Sequence, residues 1–123
     1  MKIEIENKIK IFLEEIKSTE YFSKIEFIVL YGSYLSKYYL EDSDVDICLY
    51  IQDDKKNLSK IRLDLLTKFD HTFDIQIYQL LPIYIQVKVL KGKFLYIKNK
   101  SKAYEKIEEY EDFLPIYLDY INH

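Results

Sequence analysis

The residues with the clearest chemical potential are two aspartates, Asp44 and Asp46, in a segment where polar and apolar residues alternate. Side chains two apart on a β-strand leave the same face, roughly 6–7 Å apart along the chain. At that spacing two carboxylates can hold one or two hard cations. Mg²⁺ commonly takes one or two carboxylates together with phosphate oxygens and water. The pair therefore indicates a divalent metal site.

A second chemical feature lies upstream, where Gly32 and Ser33 follow a short apolar run. A glycine lets a ligand approach the backbone closely, and free N–H groups at a helix start favour phosphate. The Ser33 hydroxyl can donate a further hydrogen bond. Ten residues separate Ser33 from Asp44. A phosphate-binding turn and a metal-binding strand joined in this way are what nucleotidyl transfer needs.

Asp74 adds a third carboxylate on the polar face of the next predicted strand. If the two strands are neighbours, the three acids converge, and two metal ions could hold a triphosphate and activate an attacking hydroxyl group. The α-phosphorus is then attacked in line and pyrophosphate leaves, while the enzyme positions groups and offsets charge. The alternative interpretation is a turn followed by a surface strand whose aspartates are solvated.

The elements that must position these residues follow from apolar periodicity. Residues 25–31 are short, β-branched and aromatic, and predict a buried strand, while residues 44–51 and 73–78 alternate as half-buried strands do. Helical spacing predicts helices with stripes at Ile5, Ile9, Phe12 and Ile16, at Leu58, Ile61, Leu65, Leu66 and Phe69, and at Tyr104, Ile107, Tyr110 and Leu114. The predicted fold class is α+β, a small mixed sheet flanked by helices.

The sequence does not settle the structure of two segments, residues 83–89 and the C-terminal tail around Pro115. Residues 83–89 alternate as a strand would, yet Leu81, Ile85 and Val89 also fit helical steps. Lys91-Gly92-Lys93 predicts a turn before a short strand at 94–97. No linker or repeat divides the chain, so we expect a single domain over 1–123, with a helical tail at 101–123 that Pro115 interrupts or restarts.

Composition narrows the range of partners. The 123 residues carry a formal charge of -3, which disfavours a broad footprint on nucleic-acid phosphates. One cysteine, Cys48, excludes an internal disulfide and suggests a reducing compartment. The first residues lack an apolar run long enough for a signal peptide or a membrane span. We therefore expect a cytoplasmic protein without membrane association or extensive nucleic-acid binding.

Over roughly residues 1–100, this pattern resembles the DNA polymerase β-like nucleotidyltransferase superfamily, and the short length is similar to its minimal nucleotidyltransferases (MNT). The resemblance implies that Gly32 and Ser33 contact the triphosphate of ATP. It also implies that Asp44, Asp46 and Asp74 are catalytic and hold two Mg²⁺ ions. It further favours a helix at 82–90, followed by the glycine turn and a short strand.

The resemblance also implies a partner. Many MNT proteins are MntA-type antitoxins of type VII toxin–antitoxin systems, which transfer AMP from ATP to a tyrosine of a HEPN-domain RNase toxin and so silence it. A chain of 123 residues has little room for a separate acceptor-binding domain, so a protein that supplies the acceptor is physically reasonable. We therefore expect a hetero-oligomer with a HEPN toxin.

The connecting loop departs from the family pattern. The family usually has Ala-Arg-Gly where this chain has Leu35-Ser36-Lys37. Lys37 either binds the nucleotide with the positive charge that the family's arginine provides, or is an ordinary solvated lysine. Two other functions stay open: transfer to a small molecule or an RNA end, and a non-catalytic antitoxin that inhibits by binding. Acceptor identity, number of AMP units, nucleotide preference and stoichiometry do not follow from the sequence.

Overall fold

The order of helices and strands in the fold matches the order expected from the sequence. The computed structural model describes residues 2–35 and 44–121, with side chains at 4–35 and 44–112. The helices and strands are α1 (Lys2–Lys17), β1 (Ile25–Tyr31), β2 (Val45–Ile51), α2 (Lys55–Lys68), β3 (Phe73–Ile77), α3 (Ile83–Leu90), β4 (Lys93–Ile97) and α4 (Lys100–Ile121). Short 3₁₀ helices span Phe22–Lys24, Gly32–Leu35 and Tyr78–Leu80.

The four strands form one mixed sheet in the order β3-β2-β1-β4. β1 pairs antiparallel with both β2 and β4, whereas β2 pairs parallel with β3. Two parallel neighbours cannot be joined by a tight turn, so α2 provides the crossover between β2 and β3. The predicted α+β class with a mixed sheet is confirmed.

Helices cover both faces of the sheet, and strand alternation decides which side chains each face buries. On the first face, α1 and α2 pack on Val45, Ile47, Leu49 and Ile51, the four β2 residues predicted to share a face. On the second face, called here the α3/α4 face, Cys48 and Tyr50 of β2 pack with residues of α3 and α4. Each fully buried Val, Ile or Leu side chain on these faces contributes about 1.5–3 kcal/mol to the free energy of folding.

Local signals fix the ends of the elements around the site. Asp54 is the N-cap of α2, and its carboxylate accepts a hydrogen bond from the backbone N–H of Asn57 at 3.0 Å. Gly92 lies in the turn before β4, where an added Cβ would come within 2.4 Å of the Leu30 carbonyl oxygen. The turn can therefore approach the end of β1 only because this residue is a glycine.

Two segments that the sequence left open, residues 83–89 and the C-terminal tail around Pro115, are both helical. α3 follows Pro82, whose fixed φ suits a position just before a helix, and it buries Val89 against the sheet. The helix expected from the resemblance is therefore confirmed. The interruption expected at Pro115 is wrong, since α4 runs from Lys100 to Ile121. A proline removes one N–H donor, and a 22-residue helix keeps its other backbone hydrogen bonds on both sides. In the described part of the chain no helix has the length and apolar character needed to cross a membrane.

Candidate active site

Asp46 and Asp74 lie side by side near the beginnings of two neighbouring strands. The parallel register of β2 and β3 places Asp46 directly opposite Asp74, close enough for a protonated Asp46 to donate a hydrogen bond to the Asp74 carboxylate. Both side chains leave the sheet on the α3/α4 face, because their apolar neighbours along the strands occupy the other face. Two of the three predicted metal ligands are therefore adjacent.

The apolar residues on either side of each aspartate explain why the carboxylates lie on the α3/α4 face. Val45 and Phe73 form one register pair, Ile47 and Ile75 the next, and all four are buried beneath α1 and α2. A slip of β2 or of β3 by one residue would move the aspartate of that strand into the apolar core, where an unpaired carboxylate is costly. The hydrophobic pattern thus specifies the position of the acidic pair.

Negative charge dominates the electrostatics of the pair around Asp46. The pKa of Asp46 is raised to about 6, first by burial and then by the negative charges of Asp74 and Asp44. Each of these causes disfavours the ionised carboxylate, and a nearby cation would reverse the effect. The donor set consists of carboxylate oxygens, which suit a hard divalent ion such as Mg²⁺.

The Gly32 turn lies directly against this acidic pair. β1 ends at Tyr31, which is the register partner of Asp46, and Gly32 follows with a φ of 78°. A Cβ added at Gly32 would lie 2.2 Å from Asp46 Oδ2, closer than any side chain permits. Gly32 and Ser33 are both exposed at the start of a 3₁₀ helix. The backbone of this turn therefore reaches the carboxylate from an accessible position.

Two further predicted site residues, Asp44 and Lys37, lie at or beyond the edge of the described part of the site. Asp44 is exposed just before β2, and its charge acts on Asp46. Within the described residues, no three His, Cys, Asp or Glu side chains are close enough to enclose a metal ion. Mg²⁺ can be bound by two carboxylates when phosphates and water complete its shell, so Asp46 and Asp74 fit such an ion. Lys37 lies outside the described residues.

Three further residues contact or influence the acidic pair without having been predicted. Gln76 Nε2 donates a hydrogen bond to Asp74 Oδ1 at 3.1 Å, and Arg62 Nη2 lies 4.0 Å from the same oxygen. Tyr31 is buried beside Asp46, and burial raises its pKa well above the ordinary range. Strand alternation could have found Gln76, two residues after Asp74. Arg62 lacked such a signal, because it lies on α2 beneath the opposite face.

Known proteins resemble this chain in sequence and in fold. The family model described as Polymerase beta, Nucleotidyltransferase matches residues 7–101. A Methanocaldococcus jannaschii protein named as a protein adenylyltransferase is 39% identical over 70 residues, or 57% of this chain and 53% of the relative. The chain thus matches about half the length of that protein.

Two solved structures share the fold over nearly the whole chain. A toxin–antitoxin structure with AMP-PNP has a TM-score of 0.62 at 22% identity, covering 95% of each chain. A structure of the tri-AMPylated HEPN toxin of Shewanella oneidensis in complex with MNT antitoxin has a TM-score of 0.57 at 23% identity, covering 99% of this chain and 97% of the other. Because the family model spans most of its length and includes the acidic pair and the Gly32 turn, the chain belongs to the polymerase β nucleotidyltransferase family.

Proposed function

We propose that this chain is the antitoxin of a type VII toxin–antitoxin system and transfers AMP from ATP to a tyrosine of a HEPN-domain RNase toxin. The observation that carries the proposal is the contact of the Gly32 turn with Asp46, which lies beside Asp74. A backbone suited to phosphate thus adjoins two carboxylates suited to a metal ion. The raised pKa of Asp46 supports a site completed by a cation.

In this proposal each residue at the site has a distinct task. Gly32 and Ser33 bind the triphosphate through the exposed start of the 3₁₀ helix. Asp46 and Asp74 would hold Mg²⁺ with phosphate oxygens and water, and Asp44 would complete a site for two ions once the nucleotide is bound. Bound Mg²⁺ supplies charge neutralisation at the phosphates and lowers the pKa of an attacking hydroxyl group. Lys37 adds a positive charge toward the phosphates.

The reaction forms one bond and breaks one. The acceptor oxygen of a tyrosine attacks the α-phosphorus, the bond between this phosphorus and the bridging oxygen to the β-phosphate breaks, and pyrophosphate leaves. The tyrosine proton passes to solvent or to a nearby carboxylate. The chain's own contribution is to align the triphosphate between the Gly32 turn and the aspartates.

The identity of the acceptor rests on the relatives. The M. jannaschii relative is named as a protein adenylyltransferase, and the S. oneidensis structure contains an AMPylated HEPN toxin with an MNT antitoxin. These names support a HEPN toxin as partner, and the toxin–antitoxin structure with AMP-PNP supports ATP as donor. We place the reaction in the cytoplasm, where ATP and Mg²⁺ are available.

The test uses the purified chain, Mg²⁺-ATP and a HEPN-domain protein from the same genome. Intact mass spectrometry should show the HEPN protein heavier by one or more AMP units. The modification should fall at least about 100-fold with Asp46→Asn or Asp74→Asn. Asp64→Asn is the matched control, because Asp64 lies on α2 and accepts a hydrogen bond from Tyr21, away from the site.

The outcomes separate the proposal from its alternatives. An inhibited but unmodified HEPN protein would identify a non-catalytic antitoxin. Transfer of AMP to a small molecule or to an RNA end, with the HEPN protein unmodified, would identify a different acceptor class. Equal modification by wild type and Asp46→Asn would show that the acidic pair does not carry the chemistry.

A further inference from the structure

Asp74 is held on two sides by groups that the proposed reaction does not use directly. Its Oδ1 accepts the hydrogen bond from Gln76 Nε2 at 3.1 Å and lies 4.0 Å from Arg62 Nη2. Gln76 lies two residues further along β3, on the same face of the strand. The carboxylate is an acceptor only, so the amide nitrogen of Gln76 must be the group that faces it.

Arg62 reaches Asp74 from the other side of the sheet. It lies on α2, which packs on the first face, yet its Nε donates to the backbone carbonyl of Ile75 at 3.0 Å. β3 is an edge strand, so this carbonyl has no further strand to pair with. The planar guanidinium can bond one oxygen through Nε and present Nη2 to another, which a lysine ammonium cannot do with the same geometry. Arg62 is the only arginine among 18 basic residues.

The distances decide which of the two supports is stronger. At 3.1 Å the contact from Gln76 is a hydrogen bond, whereas 4.0 Å places Arg62 at the limit of an ion pair. The Arg62 and Asp74 side chains are 31% and 36% exposed, so solvent screens their attraction. Gln76 therefore fixes the orientation of the carboxylate, and Arg62 limits its movement toward the edge of the sheet.

We propose that Gln76 and Arg62 are positioning residues that keep the Asp74 carboxylate turned toward Asp46, so that the cation site is formed before a cation binds. This inference rests on the proposed function, because it assumes that the acidic pair holds a divalent ion. Groups that orient metal ligands in this way typically change metal affinity by about 10- to 100-fold when removed.

The test measures binding of Mn²⁺ alone to the full chain by electron paramagnetic resonance of the free ion. Gln76→Leu should raise the Kd for Mn²⁺ about tenfold. Arg62→Lys, which keeps the charge and loses the fork, should raise it by a smaller factor. Gln86→Leu is the matched control, because Gln86 also donates one side-chain hydrogen bond, to the Tyr78 carbonyl at 2.9 Å, away from the acidic pair.

A second measurement separates positioning from general damage. In the transfer assay, Gln76→Leu should require about tenfold more Mg²⁺ for half-maximal rate while kcat at saturating Mg²⁺ stays near the wild-type value. A merely structural defect would lower kcat at every Mg²⁺ concentration. Gln76→Met provides the same comparison if Gln76→Leu melts well below the wild type.

The results also distinguish failure of this inference from failure of the proposed function. If wild type binds Mn²⁺ in a manner lost in Asp46→Asn, and Gln76→Leu binds it as tightly as Gln86→Leu, the positioning role is overturned and the proposed function stands. If wild type shows no Mn²⁺ binding that depends on Asp46, the cation site is not formed in advance and this inference is overturned. The proposed function is overturned only by AMP transfer that survives Asp46→Asn.

Discussion

Gly32 and Asp46 are in direct contact across the end of the β1–β2 pair. The space that a Cβ of residue 32 would need is taken by Oδ2 of Asp46, at 2.2 Å. The φ of 78° at Gly32 is in the region that side chains other than glycine rarely adopt. Two independent constraints, backbone conformation and closeness to a carboxylate, therefore require glycine at this one position.

Gly32→Ala should disable the site more than it disables the fold. The new methyl group must displace either the turn or the Asp46 carboxylate, and a displacement of about 1 Å at a reacting centre can lower the rate about 100-fold. The backbone strain should cost about 1–2 kcal/mol of unfolding free energy. AMP transfer and urea unfolding, measured on the same preparation, check both effects. A wild-type transfer rate in this variant would contradict the contact.

Strand alternation predicted the acidic face correctly, and the reason is physical. Val45, Ile47 and Ile75 must be buried, which leaves Asp46 and Asp74 on the opposite face. What alternation could not give was the order of the strands. The Asp46–Asp74 register depends on how the crossover through α2 places β3 beside β2, a tertiary feature that a local pattern does not encode.

Other parts of the site were beyond the reach of local patterns. Arg62 approaches Asp74 around the edge of β3 from a helix on the opposite face, so its spacing in the sequence carries no sign of the contact. Periodicity alone left residues 83–90 ambiguous, since β-branched residues fit both helix and strand there. The roles of all the predicted site residues stay predictions: Gly32, Ser33, Lys37, Asp44, Asp46 and Asp74.

Removal of the α2 cap should destabilise the crossover that sets the register of β2 and β3. Asp54→Ala loses the hydrogen bond to the Asn57 N–H, which typically costs about 1 kcal/mol. For a domain of this size we expect the Tm to fall by about 4 °C. Asp54→Ser, which retains a capping oxygen, is the control in the same thermal melt. Equal Tm values for Asp54→Ala and wild type would show that the cap contributes nothing.

Tyr31 should prove dispensable as an acid or base, despite its place opposite Asp46. Burial raises the pKa of its hydroxyl group, so the phenol keeps its proton at neutral pH. It therefore cannot act as a base, and it is a weaker acid than an exposed tyrosine. Tyr31→Phe should therefore keep the transfer rate within about twofold. Tyr31→Ala should instead lose about 3–5 kcal/mol of unfolding free energy, because a buried ring is removed. A large loss of rate in Tyr31→Phe alone would assign the hydroxyl group a chemical role.

The acidic pair should also make the cation-free protein less stable as the pH rises. The pKa of Asp46 is raised to about 6 in the folded chain, mainly by burial, whereas an aspartate in the unfolded chain has a pKa of about 3.9. Below the unfolded value both states are protonated and the stability from this group is fully present. As the pH rises through about 6 the folded carboxyl group is forced to ionise in an unfavourable place, and that stability is lost.

Urea unfolding in the presence of a chelator measures this effect. Between pH 4 and pH 8 the free energy of unfolding of wild type should fall by about 1–2 kcal/mol more than that of Asp46→Asn, once solvent screening of this half-buried group is counted. The difference between the two proteins reports Asp46 together with its interactions with Asp74 and Asp44, because the rest of the chain is shared. Mg²⁺ added at pH 8 should restore stability to wild type and have little effect on Asp46→Asn, since a cation stabilises only a folded state that binds it. Parallel pH profiles for the two proteins would mean that Asp46 titrates normally, and the acidic pair would then lack the strain that a metal ion is expected to relieve.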